Sequence, residues 1–223
     1  MALTFLPSFV TMRSYYTDRI QVTNMTPLIL ALSLFTSLSF ASTSREIVEE
    51  IFSKAAKPEI KKDARLQTEL NNLVDYAHMA KEVLGAEFKK QKPQDIQWFE
   101  KMLKDIISLS VYPAAPDFLG KVNIVYKESP KENSKGNPKE NKEEKDQSAI
   151  SSIVKHKGEE TEVNYRLHKQ GENWKVYDVA LDGESWTENI RTEVQKILKK
   201  EGWGGLKKRL IKRLDVLTQK NKS

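Results

Sequence analysis

Few residues of this chain are of the types that perform catalysis or bind metals. The 223 residues include no cysteine, which excludes thiolate catalysis, iron–sulfur clusters, cysteine-ligated zinc and disulfide bonds. The three histidines, His78, His156 and His168, show no metal-ligand spacing. The sequence also contains no glycine-rich phosphate loop, no G-x-S-x-G motif and no H-E-x-x-H motif. It therefore predicts a protein that is not an enzyme and that holds no metal and no organic cofactor.

One group of acidic residues is the best remaining candidate for catalysis. Asp178, Asp182 and Glu184 could act as paired carboxylates in acid–base chemistry. A simpler interpretation is that Asp182 and Gly183 form a turn after a strand and that a neighbouring residue caps the next helix. We favour the turn and the cap. The alternative is an enzyme that places a polar residue such as His78 or Asp178 in an apolar pocket.

The strongest charge feature is a basic segment near the C-terminus. It includes one acidic residue, Glu201, among seven cationic ones: Lys199, Lys200, Lys207, Lys208, Arg209, Lys212 and Arg213. Nucleic-acid binding would require interleaved aromatic residues or a docking motif, and the export leader described next argues against that partner. The segment is then either a solvated helix face or a contact for anionic lipid head groups or an acidic protein. We assign the contact with a partner or head group to Lys207, Lys208 and Arg209.

The first 41 residues have the features of an export signal. Residues 27–40 are apolar, and Ser39 and Ala41 are the small residues at the −3 and −1 positions of a cleavage site. The apolar run is shorter than the about 20 residues of a membrane-spanning helix. Because a 41-residue leader is long, Met12 is the better start. We predict a signal peptide over residues 1–41, in preference to a retained membrane anchor, and an exported protein whose charge falls from +6 to +5 on losing two Arg and one Asp.

Helical periodicity occurs at both ends of the remaining sequence. Before residue 110, apolar residues recur at intervals of three and four, with Asp75 as a helix cap and Pro93 as a first helical residue. After residue 185 the same periodicity returns, and Gly202 separates one helix from a last, basic helix. The pattern predicts N- and C-terminal helices in one domain spanning residues 42–223.

The middle of the domain alternates with a period of two. The alternation predicts four strands, near residues 121–128, 149–156, 162–169 and 173–181. Short turns join the last three strands, which indicates an antiparallel meander. Residues 129–148 have no apolar side chain and predict a hydrophilic hairpin insertion. The fold class is therefore α+β, with segregated helices and a meander sheet.

Short motifs occur in a fixed order along the chain. In the last third they are Tyr165-Arg166-Leu167, Trp174-Lys175-Val176-Tyr177-Asp178-Val179, Gly183-Glu184-Ser185, Asn189, Arg191, Ile197-Leu198, Gly202 and Gly205-Leu206. Upstream they are Met79-Ala80, Val83-Leu84-Gly85, Phe99, Leu103 and Tyr112. Over about residues 45–215 the sequence resembles the MlaC family, also called toluene-tolerance or ABC-transporter auxiliary proteins. Two features depart from that family: Glu184 occupies a usually aliphatic position, and the insertion at 129–148 is longer than usual.

The resemblance implies a fold and a function. The family fold is a curved antiparallel sheet with helices packed around an apolar pocket. The implied function is that of a periplasmic carrier that binds a glycerophospholipid by its acyl chains as cargo. It would move lipid between an outer-membrane lipoprotein complex and an inner-membrane ABC transporter complex, which maintains the lipid asymmetry of the outer membrane. The alternative is a secreted interaction module that binds anionic membrane surfaces or a protein through the basic C-terminal helix.

Ten apolar residues are candidates for the wall of such a pocket. A pocket wall needs apolar side chains that face inward without filling the space. The same periodicity describes an ordinary filled core, so the sequence leaves both interpretations open. The candidates are Met79, Val83, Phe99, Leu103 and Ile106 on helices, and Val125, Tyr165, Leu167, Val176 and Val179 on strands.

Overall fold

The computed structural model describes residues 42–127 and 146–222. Its first part is helical. The elements are α1 (Ser44–Ala55), α2 (Ala64–Asn72), α3 (Tyr76–Leu84), α4 (Pro93–Val111) and α5 (Ala115–Leu119), with 3-10 helices at Pro58–Lys61 and Gly85–Lys90. The predicted signal peptide and residues 129–145 of the predicted insertion lie outside the described residues.

The starts of these helices are fixed by residues that the sequence places there. Thr43 and Glu46 form a reciprocal capping box at α1, in which each backbone N–H donates to the other side chain at 2.8 and 3.2 Å. Asp75 accepts a hydrogen bond from the backbone N of His78 at 2.9 Å, and Pro93 is the first residue of α4, both as predicted. The side chains of Thr43, Glu46 and Asp75 thereby accept hydrogen bonds from N–H groups at the helix starts, which have no acceptor inside the helix.

A single five-stranded antiparallel sheet follows in meander order, which confirms the predicted α+β class. The strands are β1 (Asn123–Tyr126), β2 (Gln147–His156), β3 (Glu159–Gln170), β4 (Asn173–Leu181) and β5 (Glu184–Ser185). The two-residue strand β5 was not predicted, and it pairs with the end of β4. The turn before it requires a positive φ at both Asp182 and Gly183, 48° and 86°.

The last element is α6 (Trp186–Lys220), which is interrupted at Gly202. This residue has φ 65° and ψ −172°, a conformation that is essentially restricted to glycine. The predicted separation of a last, basic helix at Gly202 is therefore confirmed. Among the described residues, no helix has the length and apolar character needed to cross a bilayer.

Two main clusters of apolar side chains hold the elements together. The helical core joins α3, α4 and α6, and its buried residues are Met79, Ala80, Val83, Leu84, Phe99, Met102, Leu103, Ile106, Ile190, Val194, Ile197, Leu206, Leu210 and Leu217. The sheet core joins α1 to β2, β3 and β4, and its buried residues are Ile47, Val48, Ile150, Val154, Val163, Tyr165, Leu167 and Val176. A smaller cluster packs α1, α2 and α5 together.

Candidate functional site

The structure divides the ten predicted wall residues between the two cores. Five of them, Met79, Val83, Phe99, Leu103 and Ile106, lie buried in the helical core. Three more, Tyr165, Leu167 and Val176, lie buried in the sheet core, and Val179 packs against it with partial exposure. Val125 is 47% exposed and does not join the others. The candidates therefore do not form one continuous lining.

A bulge in β4 lets one strand serve both cores. The pairing register shifts between Arg166 and Leu167, which leaves Tyr177 as an extra residue on β4. The consecutive residues Tyr177 and Asp178 consequently both contact the helices, Tyr177 at α3 and Asp178 at the start of α6. Val176 remains in the sheet core. In an ideal strand, side chains alternate between the two faces of the sheet, so only one of the two consecutive residues Tyr177 and Asp178 would have contacted the helices.

Two tyrosines, Tyr165 and Tyr126, lie inside or at the rim of the sheet core. Tyr165 OH is 3.2 Å from the Oγ of Ser152, which is fully buried. Burial raises the pKa of Tyr165 far above its ordinary value and raises the pKa of Tyr126 to about 12. The Arg45 guanidinium lies 4.9 Å from the centroid of the Tyr126 ring. Both phenols therefore stay neutral near pH 7, which suits contact with an apolar ligand better than acid–base chemistry.

Large side chains of the protein itself occupy both apolar cores among the described residues. Phe99 in the helical core and Leu167 in the sheet core are both fully buried. A space of about 280 Å³ near the start of α3 is lined mainly by polar residues, including Asn71, Lys104 and Lys175. A second space, of about 480 Å³, borders the 3-10 helix at Pro58–Lys61 and is lined mainly by charged residues. An acyl chain would therefore enter only if packed elements moved apart.

Asp178 has a structural environment rather than a catalytic one. Its Oδ2 accepts hydrogen bonds from Arg166 Nε at 2.9 Å and from Ser185 Oγ at 2.8 Å. Its Oδ1 accepts from the backbone N of Thr187 at 2.9 Å, in the first turn of α6. Asp182, in the turn after β4, accepts a hydrogen bond on Oδ1 from the backbone N of Glu162 on β3 at 2.9 Å. These partners support the interpretation as a turn and a cap.

Comparison with known proteins identifies the family. The sequence matches the family model described as MlaC protein over residues 41–212. The chain belongs to the MlaC family. No curated protein sequence matches it.

A solved structure has the same fold as this MlaC chain. It is the phospholipid-binding protein from Ralstonia solanacearum in complex with a phospholipid. The two chains share 18% sequence identity with a TM-score of 0.61, and the match covers 78% of this chain and 96% of the other. At this level of identity the likeness establishes the fold alone.

The basic segment of this MlaC chain is partly engaged in contacts of its own. Lys207 forms an ion pair with Asp95 of α4, and its Nζ lies 5.4 and 5.8 Å from the ring centroids of Trp98 and Trp203. The hydrogen bond from Lys207 lowers the pKa of the Asp95 carboxyl. Lys207 therefore joins α4 to α6, and a partner would have to compete with these contacts.

The other two cations of the predicted contact differ from each other. Arg209 donates two hydrogen bonds to Glu201, at 2.8 and 2.5 Å, across the interruption of α6. Lys208 is exposed and has no ion pair with any described residue. Lys208 is thus the member of the predicted set that is available to a partner, and the contact itself stays a prediction.

Sequence reasoning missed the contributions of α1 and β2 to the interior. Ile47 and Val48 on α1, and Ile150 and Val154 on β2, are all buried in the sheet core. The helical stripe of α1 was visible in the sequence, and so was the alternation in β2. A pattern of this kind shows that a face is buried, but it does not show which faces meet.

Proposed function

We propose that this protein is a periplasmic carrier of phospholipid and not an enzyme. The observation that carries the proposal is the match to the MlaC family across residues 41–212, which is nearly the whole of the described chain. The fold is shared with a protein that was solved with a phospholipid bound, which supports the same cargo here. An outer-membrane lipoprotein complex and an inner-membrane ABC transporter complex are the proposed donor and acceptor.

We assign the acyl chains to the sheet core. Eight of its apolar residues are buried, and ten others that pack against it are only partly buried. Five of these ten lie on strands, which indicates that α1 covers the sheet incompletely: Ile124, Tyr126, Trp174, Val179 and Leu181. In the helical core, buried apolar residues outnumber partly buried ones, fourteen to nine. Lipid would therefore lie between α1 and the sheet, beside Tyr165, Leu167, Val176 and Val179. The five candidates in the helical core would form the framework.

The energetics of transfer suit a carrier. Burial of an acyl chain is worth about 0.8 kcal/mol per methylene. Two chains with about 30 methylenes thus favour a protein interior over water by roughly 20–25 kcal/mol. A bilayer offers a similar gain, so transfer between bilayer and protein is nearly thermoneutral and its direction must come from the partner complexes. Loss into water stays slow.

The test is extraction of the purified protein with organic solvent, followed by mass spectrometry of the lipids. We expect phospholipid from the wild-type protein. Ile124 of β1 packs against the sheet core, and its neighbour Val125 does not, so these residues offer a matched pair of substitutions. Ile124→Glu should reduce the phospholipid recovered, and Val125→Glu should not. The proposal fails if no phospholipid co-purifies and none binds when it is offered.

A second candidate function rests on the exposed face of α6. Ile211 and Val216 are 47% and 50% exposed, and they share this face with Lys208 and Lys212. Apolar and cationic side chains in this arrangement favour binding to an anionic membrane surface. Reversing the charge of Lys208 and Lys212 together should then reduce sedimentation with anionic vesicles. Unchanged sedimentation would leave this face with a solubilising role.

A further inference from the structure

Two histidines that are distant in sequence meet at the start of α3. The rings of His78 and His168 stack with their centroids 4.6 Å apart. His168 Nδ1 lies 3.3 Å from Oδ2 of Asp75, whose side chain is 4% exposed. One potential ligand atom from each of the three residues lies within 4.8 Å of the other two. No metal-ligand spacing reveals this cluster in the sequence, because His78 is on a helix and His168 is on β3.

Backbone hydrogen bonds hold this cluster in place. The backbone N of Asp75 donates to the carbonyl of Val176 at 2.8 Å, and the N of Val176 donates to the carbonyl of Leu73 at 2.9 Å. The start of α3 is thereby tied to β4. His168 lies on β3, which pairs with β2 on one side and β4 on the other. The three side chains therefore project from rigid elements, which is what a preorganised ligand site requires.

The ligand types and distances suit a transition metal. Two imidazoles and one carboxylate are typical ligands of Zn²⁺ and related divalent ions. Tetrahedral ligands at about 2.1 Å from zinc are about 3.4 Å apart. The separation between His168 and Asp75 is already close to this value. The ligand atoms of the whole cluster lie within 4.8 Å of one another, and because the two imidazole rings are stacked, one of them would have to rotate to direct a ring nitrogen at the ion.

The cluster is also accessible and has a second carboxylate nearby. The side chains of His78 and His168 are 14% and 31% exposed, so that an ion and a water molecule can reach them. Oδ1 of Asp75 caps α3, so Oδ2, which faces His168 Nδ1, is the oxygen that would bind the ion. Glu82 Oε1 lies 4.0 Å from His78 Nε2 and adds a second negative charge nearby.

We propose that Asp75, His78 and His168 bind one divalent transition metal ion, Zn²⁺ in particular, with water completing the coordination. The bound ion would link the start of α3 to β3, the central strand of the sheet. This site goes beyond lipid carriage, and its test requires no lipid.

The experiment titrates purified, chelator-treated protein with Co²⁺, whose visible absorption reports coordination, and then displaces it with Zn²⁺. We expect one Co²⁺ per chain and a rise in Tm with Zn²⁺. His168→Gln removes a proposed ligand and should weaken binding by at least the roughly tenfold to hundredfold that is lost when only an outer-shell partner of a ligand is removed. His156→Gln is the matched control, because His156 is the remaining histidine of the sequence and is not part of the cluster.

The outcomes separate a metal site from a purely structural cluster. Equal metal affinity in wild type and His168→Gln, or an equal loss in His156→Gln, overturns the proposal, as does the absence of stoichiometric binding to the wild type. His78→Gln provides a second variant if His168→Gln does not fold. The Tm measured without metal identifies such a folding defect independently of metal affinity.

Discussion

At the scale of single residues, Asp178 shows how this fold tolerates a buried charge. Its carboxylate is 2% exposed and accepts hydrogen bonds from Arg166, Ser185 and Thr187, which belong to β3, β5 and α6. A buried carboxylate is costly unless such partners satisfy it. Because the donors come from three elements, Asp178 fixes the start of α6 against the sheet.

Replacing Asp178 with alanine should therefore destabilise the protein strongly. The substitution leaves Arg166 and a backbone N–H without their acceptor, which costs about 3 kcal/mol by analogy with broken buried pairs. Urea unfolding measures the decrease in the free energy of unfolding. Glu184→Ala is the control in the same turn, and because Glu184 is exposed it should change stability by less than about 0.5 kcal/mol. Equal effects of the two substitutions would contradict the anchoring role.

Lys207 provides a pH-dependent prediction. The hydrogen bond from Lys207 lowers the pKa of Asp95 in the folded state. Its stabilising effect is therefore fully present above the ordinary pKa of 3.8 and is lost as the pH falls below that value and Asp95 becomes protonated. We expect Lys207→Met to lower Tm at pH 7 and the difference from wild type to shrink in acid. Part of the difference in Tm should remain in acid, because Lys207 also contacts the two tryptophan rings.

The neighbouring lysine is the control for this measurement. Lys208→Met removes the same charge from the same helix but breaks no described ion pair, so its Tm should follow that of the wild type at every pH. A difference for Lys207→Met that is independent of pH would show that Asp95 contributes nothing.

At the scale of elements, the interruption of α6 depends on one glycine. Gly202 has a backbone conformation that costs other residues about 1–3 kcal/mol, so Gly202→Ala should lower the free energy of unfolding by that amount. Gly204, two residues later, is exposed and helical, and Gly204→Ala should raise stability by about 0.5–1 kcal/mol. If α6 is interrupted at Gly202, chemical denaturation should show that the free energy of unfolding falls in one variant and rises in the other. Stabilisation by both would indicate a continuous helix.

The proposed route of lipid entry makes α1 a moving element. Ser44 at the start of α1 and Ser148 on β2 have their Oγ atoms 2.9 Å apart, and the chain has no cysteine of its own. The Ser44→Cys/Ser148→Cys double variant can therefore form one disulfide that ties α1 to the sheet. We expect the oxidised variant to transfer fluorescent phospholipid between vesicles far more slowly than wild type. Reduction should restore the wild-type rate.

The matching control is the single Ser148→Cys variant, which cannot form the link. Full transfer activity in the oxidised double variant would show that α1 does not have to leave the sheet. Lipid would then have to reach the sheet core by a route other than separation of the start of α1 from β2.

The elements could be predicted from the sequence because their determinants are local. Asp75 caps α3, Pro93 begins α4 and Gly202 interrupts α6, each through the conformation or hydrogen bonding of that residue. The grouping of wall residues could not be predicted, because it depends on which faces meet. The bulge at Tyr177 is an example. A shift of one residue moves the side chains of the later part of β4 to the opposite face of the sheet.

At the scale of the whole molecule, β4 connects the two cores. Val176 is buried in the sheet core, and the next residue, Tyr177, contacts His78 of α3. The bridge between Val74 and Val176 adds a direct backbone link between the helical layer and the sheet. A strand shared in this way cannot lose its place in one core without disturbing the other.

The two cores should consequently unfold together. Trp174 packs against the sheet core and Trp203 against the helical core, so variants that retain one of these two as the only tryptophan of the four in the sequence report on each core separately. We expect the same urea midpoint from both, as for a single cooperative domain. Added phospholipid should raise both midpoints equally, because a ligand that binds only the folded state stabilises the whole cooperative unit. A lower midpoint at Trp174 alone would instead mean that the sheet core opens independently, which would give lipid a route inward without global unfolding.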